Sequence, residues 1–275
     1  MSILSIQSHV AYGKVGNRAA TFTLERMGHD VIAIHTVQFS NHTGYGTFEG
    51  DILPATNIQK IFHGLDQLTL SNPLQAILSG YLGSVEIAEV LLQEAQAIQK
   101  KNPKTIFLCD PVIGDTGRGV FINPKLATFI RDQLIPIADW ITPNHFEFEF
   151  LVQEKVCRVA ELKTLCQKHP LLKNKVVIVK SFLHDELQEG TIATYGWNSH
   201  TQEEILLEAP YIHFPTPPNG IGDLFAALFL GHALKTNLQN ALQKAHAITH
   251  AILKATEKAQ TRELQIIENQ GFLEQ

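Results

Sequence analysis

Short apolar, β-branched runs alternate with longer amphipathic stretches along most of the 275 residues, and that alternation leaves few folds open. The runs at 3–6, 31–36, 76–79, 105–109, 140–142 and 176–179 have strand length, as expected of strands covered on both faces. Between them, helical spacing predicts helices over about 16–27, 58–68, 84–101, 125–134 and 160–169. Strands and helices in this order imply an α/β fold, a three-layer αβα sandwich around a mostly parallel sheet. Segments 190–195, 205–208 and 211–214 follow one another more closely and predict antiparallel strands at one edge. Helix over 240–269, broken once, closes the chain. No repeat, low-complexity tract or long linker marks a boundary, so a single domain over residues 1–275 is expected.

Composition narrows the partners. Lys+Arg 22 against Asp+Glu 27 gives a net charge of -5, and the isoelectric point is near 6.2. No basic surface recommends a nucleic acid and no polybasic run recommends a membrane, which leaves a small molecule. The sparse set Cys109, Cys157 and Cys166 has no zinc spacing and fits a reducing compartment. The N-terminus lacks the positive start and long apolar core of a signal peptide. A soluble, cytoplasmic protein is expected.

In an open parallel sheet, ligands bind beyond the carboxyl ends of the strands. Six successive strand ends here exit into polar or glycine-rich sequence: Ser8-His9, Phe39 to Gly46, Ser79 to Gly83, Asp110 to Asp115, Thr142 to Glu147 and Lys180-Ser181. They are expected to line one cleft. Near the other end, Gly220-Ile221-Gly222-Asp223 opens into Leu224 to Leu230, apolar on nearly every side. That pattern predicts a buried helix with a polar N-terminus, where unpaired N–H groups and the helix dipole attract anions. A carboxylate at such a place either caps the helix or takes a proton from a hydroxyl that attacks phosphorus. The local pattern leaves both open.

Missing motifs exclude several chemistries. The chain has no GxxxxGK[ST], no GxGxxG after the first strand and no GxSxG elbow. His246 and His250 stand at i,i+4 spacing without the glutamate of a zinc protease, and are read as ordinary helix histidines.

Taken together, Ser5-Ile6-Gln7-Ser8-His9-Val10, Gly16-Asn17-Arg18-Ala19-Ala20, Thr36 to Tyr45, Cys109 to Asp115, Ile141-Thr142-Pro143-Asn144 and the Gly220 to Asp223 turn resemble the pyridoxal kinases of the ribokinase-like superfamily. The glycine-Asp turn suggests the superfamily, whereas Gln38-Phe39-Ser40-Asn41-His42-Thr43 is specific to pyridoxal kinases. The resemblance implies a homodimer and ATP-dependent phosphorylation of the 5′-hydroxymethyl of pyridoxal, with pyridoxine and pyridoxamine as further candidates, in vitamin B6 salvage. It implies Mg²⁺ with ATP and leaves room for a monovalent cation such as K⁺.

The same resemblance assigns roles. Asp223 is expected as general base, and Gly220, Ile221 and Gly222 as an anion hole for the transferring phosphoryl. Ser8, Thr43, Gly44 and Tyr81, with Asp223, are expected around pyridoxal, although Tyr81 also reads as a packing aromatic. Along the nucleotide groove come Asp110, Asp115, Thr142, Glu147, Lys180, Ser181, and the loosely matching Thr216-Pro217-Pro218-Asn219. Asp110 and Glu147 are the expected Mg²⁺ carboxylates, directly or through water. Residues 115–121 read as a glycine-punctuated lid over ATP or as a surface turn. Two alternatives stay in view: a hydroxymethylpyrimidine or related vitamin or sugar kinase, and a non-catalytic pyridoxal 5′-phosphate carrier, which needs an anion site but no base.

Overall fold

The structure is a computed structural model that describes residues 2–68 and 73–274. In chain order its elements are β1 (Ser2–Val10), α1 (Asn17–Arg26), β2 (Asp30–Phe39), β3 (Gly50–Ile52), α2 (Ala55–Asp66), β4 (Leu74–Ser79), α3 (Val85–Lys101) and β5 (Ile106–Cys109). There follow β6 (Gly114–Asp115), β7 (Gly119–Val120), α4 (Pro124–Phe129), a π-helical turn at Ile130–Leu134, α5 (Ile135–Ile137), β8 (Trp140–Ile141), α6 (His145–Val152) and α7 (Val159–Lys168). The remaining strands and α-helices are β9 (Val176–Phe182), β10 (Thr191–Asn198), β11 (Glu203–Pro210), α8 (Ile221–Ala233) and α9 (Leu238–Lys258). The chain forms two compact units: Met1–Phe107 with Ile212–Gln275, and Leu108–Tyr211.

In the first unit β1 pairs in parallel with β2 and β4, and β2 pairs antiparallel with β3. The first six residues of β1 are all buried. Successive strand side chains point to opposite faces, so unbroken burial means that both faces of this strand are covered. Helix α8 is buried from Leu224 through His232 and packs against α1 and α9. Gly231 permits the close approach to α1, since a Cβ there would lie 2.5 Å from Met27 Cε and 3.2 Å from Leu24 Cδ2.

In the second unit β8 pairs in parallel with β5 and β9, and β10 pairs antiparallel with β9 and β11. Strand β9 is buried over its first four residues, whereas β11 alternates half-buried and exposed positions over most of its length, as befits an outer strand.

Several local expectations change. The closing helix stops short of 269: α9 ends at Lys258, residues 259–269 carry turns and bends, and a short 3₁₀ turn follows at Gln270–Glu274. Residues 211–214 form no strand: β11 ends at Pro210, paired with Thr191 at the start of β10, and a single further bond runs from the Tyr211 N–H to the Gly190 carbonyl. With no strand left alongside, alternation alone does not make a ladder. Ser8 and His9 lie inside β1, which continues to Val10. Residues 115–121 hold the turn and second strand of a two-stranded antiparallel ribbon, with Gly114 opposite Val120 and Asp115 opposite Gly119.

Candidate active site

The glycine-Asp turn belongs to the first unit. Gly220 caps α8 in the left-handed region, φ 88°, and its missing side chain is required twice over. A Cβ at Gly220 would stand 1.8 Å from the Lys14 carbonyl oxygen, and positive φ is strained for any residue that carries one. Asp223 follows in the first helical turn, half-buried, and its Oδ2 accepts the Gly16 N–H at 2.8 Å. Gly16 in turn lies against Ser8: a Cβ there would come 2.4 Å from Ser8 Oγ and 2.2 Å from its carbonyl oxygen. Ser8 occupies a register shift of β1 against β2, between the pairs Gln7 with His35 and His9 with Gln38. Such irregularities re-aim side chains and are common beside active sites. One glycine therefore brings the expected base and the substrate-side serine together.

Around this centre, Val10, Val15, Val37 and Phe39 form an apolar cluster on which Tyr81 packs. The Tyr81 backbone is held by the Thr36 hydroxyl, which donates to its carbonyl at 2.7 Å, and burial raises the Tyr81 phenol above its usual range. Thr43 and Gly44 sit exposed in a short 3₁₀ turn, Thr43–Tyr45, which His42 caps by accepting the Gly44 N–H at 3.0 Å. Thr216 and Pro217 are exposed, Pro218 is buried, and the buried Asn219 Nδ2 has no hydrogen-bond partner among the described residues.

The second unit carries a buried charge cluster. Asp110, 4% exposed, pairs with Lys180 at 2.6 Å and accepts the Thr142 hydroxyl at 2.8 Å. Glu147, 3% exposed, accepts the N–H groups of Ile113 at 2.8 Å and Asn144 at 2.9 Å. Asn144 reciprocates by accepting the Glu147 N–H at 2.9 Å, a capping box that starts α6. Burial, and then the nearby Asp110 charge, push the Glu147 carboxyl up to about 7, against the opposing pull of Lys180 and the two amides. Gly114 admits α6 closely, since a Cβ there would be 2.3 Å from Phe146 Cε1.

The predicted residues thus gather in two groups, each within its own unit: Ser8, Thr43, Gly44, Tyr81 and the 216–223 segment in one, Asp110, Thr142, Glu147 and Lys180 in the other. Asp115 stays outside the second group, exposed and accepting the Thr116 N–H of its own turn at 2.8 Å. Ser181 is exposed in positive φ, 51°, next to Lys180. A separate cleft of the second unit, lined by Arg131, Asp132, His169, Lys173 and Lys175 among others, shares none of these residues. Arg131 there is engaged with Asp132, and Lys175 with the carbonyls of Pro136 and Ala138.

Two features go beyond the roles that the sequence suggested for its residues. The Asn144-x-x-Glu147 capping box is a local signature that could have been recognised. Glu263 and Arg262 bond to Lys14 and Gly44 across more than two hundred residues, and no local pattern announces that.

A protein-family profile described as phosphomethylpyrimidine kinase matches residues 22–266. A pyridoxal kinase PdxY of Rubrobacter xylanophilus is 40% identical over 275 residues, 99% of this chain and 93% of that protein. One from Corynebacterium diphtheriae is 39% identical over 272 residues, 98% and 94% of the two chains. Among solved structures, the pyridoxal kinase of Leishmania donovani in complex with ADP and pyridoxamine superposes with a TM-score of 0.86 at 29% identity, covering 99% of this chain and 95% of that one. The pyridoxal kinase of Entamoeba histolytica gives a TM-score of 0.89 at 26% identity with the same coverage. Near-complete coverage at this identity leaves no large segment of the fold unaccounted for, and the chain belongs to the pyridoxal kinase family.

Proposed function

We propose that the protein transfers the γ-phosphoryl of ATP to the 5′-hydroxymethyl of pyridoxal, acting over residues 1–275 as one kinase domain. The observation that carries this reading is the placement of Asp223 at the start of a buried helix, held by the Gly16 N–H beside Ser8. Solved relatives bear ADP with pyridoxamine, and AMP-PNP with pyridoxal, which supports the same substrate pair here.

Asp223 takes the proton of the 5′-hydroxyl while that oxygen bonds to the γ-phosphorus and the bond to the β-phosphate oxygen breaks, releasing ADP. Such base assistance is worth ~10²–10⁴-fold. The N–H groups of Gly220, Ile221 and Gly222 face the phosphoryl oxygens, and the Asn219 amide, unpartnered among the described residues, adds a donor. Ser8 and Thr43-Gly44 orient the pyridine ring, and Tyr81 flanks it. Lys180, Thr142, Asp115 and Ser181 serve the nucleotide, with Thr216 to Pro218 on the adenine side and the β6–β7 ribbon as a cover.

Magnesium bound with ATP supplies charge neutralisation across the phosphate oxygens. The donor set fits it: Asp110 and Glu147 are oxygen donors of the kind a hard cation takes, and since both are buried and already bonded they would hold the ion through water rather than directly. A monovalent cation such as K⁺, a homodimeric assembly and a cytoplasmic location complete the proposal. Among the described residues, no helix is long and apolar enough to cross a membrane.

The test is ADP release with pyridoxal, pyridoxine, pyridoxamine and hydroxymethylpyrimidine in parallel. Pyridoxal is expected to support turnover. Turnover on hydroxymethylpyrimidine alone favours the second reading, which the family profile's description keeps open. Tight pyridoxal 5′-phosphate binding without ATP consumption favours a carrier.

A further inference from the structure

Two segments that this reading places at pyridoxal and at the base are tied to one carboxylate far along the chain. Glu263 follows α9, and its own position is set from behind. Its N–H donates to Thr261 Oγ1 at 3.1 Å, Gln265 N–H donates to Thr256 Oγ1 of α9 at 3.1 Å, and Leu264 and Ile266 are each 1% exposed. From this anchor Oε2 accepts the Lys14 N–H at 2.8 Å and Oε1 accepts the Tyr45 hydroxyl at 2.5 Å. The first bond fixes the 13–16 loop, whose Lys14 carbonyl lies against Gly220 and whose Gly16 N–H holds Asp223. The second fixes the turn that presents Thr43 and Gly44. Arg262 adds to the second grip: its guanidinium lies over the Tyr45 ring, 4.1 Å from the centroid, and donates to the Gly44 carbonyl.

We propose that Arg262 and Glu263 form a positioning clamp that sets the pyridoxal-binding turn in register with the loop carrying the catalytic carboxylate. The proposal rests on the functional reading above. Its chemistry is that of a bridging acceptor: the two oxygens of one carboxylate take two donors from separate segments. Glycine at position 13, φ 115°, makes room, since a Cβ there would already stand 3.1 Å from Glu263 Oε2. Burial and Glu263 push the Tyr45 phenol up to about 12, so it remains a donor at neutral pH.

A clamp predicts a division of kinetic effects that general destabilisation does not. Tyr45→Phe removes the Glu263 bond to the substrate turn, keeps the ring under Arg262 and the Arg262 bond to Gly44, and leaves the Lys14 bond in place. It is expected to raise KM for pyridoxal about tenfold with a smaller change in kcat, and to leave KM for ATP within about twofold. Glu263→Ala cuts both links and is expected to raise KM for pyridoxal by about tenfold or more and also to lower kcat about tenfold. Glu263→Gln keeps an acceptor for one donor and is expected to recover part of both. Steady-state kinetics on the full chain, with Tm recorded for each variant, decide the matter. KM for pyridoxal unmoved in Tyr45→Phe, or a lowered Tm as the only effect of Glu263→Ala, overturns the clamp while the functional reading stands. Wild-type protein that never phosphorylates pyridoxal overturns the functional reading and the clamp with it.

Discussion

At the scale of single residues, the site depends on side chains that are absent as much as on those present. Gly220 and Gly16 each occupy positive φ with a backbone carbonyl where a Cβ would be. Gly220→Ala is expected to destabilise the protein by about 2 kcal/mol or more from the strained φ and the displaced Lys14 carbonyl, and to lower kcat at least tenfold. Urea unfolding and an ADP-release assay check the two halves, and unchanged turnover would show that the loop shifts without moving Asp223. The glycine turn was legible because two glycines and an acid ahead of an all-apolar run mark the polar start of a buried helix. The position of Ser8 was not, because a register shift inside a strand leaves no mark on the apolar pattern that reveals the strand. Nor could the sequence show that Gly16 supplies the N–H held by Asp223, since the two are 207 residues apart.

At the scale of elements, the capping box of α6 does two jobs, starting the helix and holding Glu147 beside Asp110. Glu147 binds its proton more tightly in the folded protein, up to about 7 against an ordinary 4.5. Its contribution to stability is therefore fully present below about pH 4.5 and is lost as pH rises through about 7. The urea midpoint of wild type, measured against that of Glu147→Gln, is expected to fall as pH rises over that interval, and a relative midpoint that climbs with pH would refute the assignment. Lys180→Met leaves Asp110 buried without its cation and is expected to cost about 3–5 kcal/mol. Adding Asp110→Asn should restore much of that stability but not the affinity for ATP, which separates the structural from the nucleotide role. Elements with a buried face were readable in the sequence: β4, α1 and α3 fall within two residues of their expected bounds, whereas β1 and β2 begin where expected but run on to Val10 and Phe39. Strand β3 was missed because all three of its residues are exposed, so no burial pattern betrays it. The 115–121 stretch read as loop because two-residue strands are set by the turn between them, not by hydrophobicity.

For the whole molecule, parallel pairing in both units, with antiparallel strands β3, β10 and β11, matches the expected α/β class. That class was legible because parallel strands covered on both faces must be apolar runs, and the helices between them must be amphipathic. Assembly was not, because no surface pattern in one chain states its partner. A homodimer is expected to sediment at twice the 30.6 kDa chain mass, and a species at the chain mass would contradict it. The central claim is narrower: Asp223 deprotonates an alcohol that attacks ATP. It is tested most directly by the single-turnover rate of Asp223→Asn with saturating pyridoxal and ATP. The account predicts a loss of about 10²-fold or more with both ligands still bound, whereas phosphoryl transfer at the wild-type rate would contradict it.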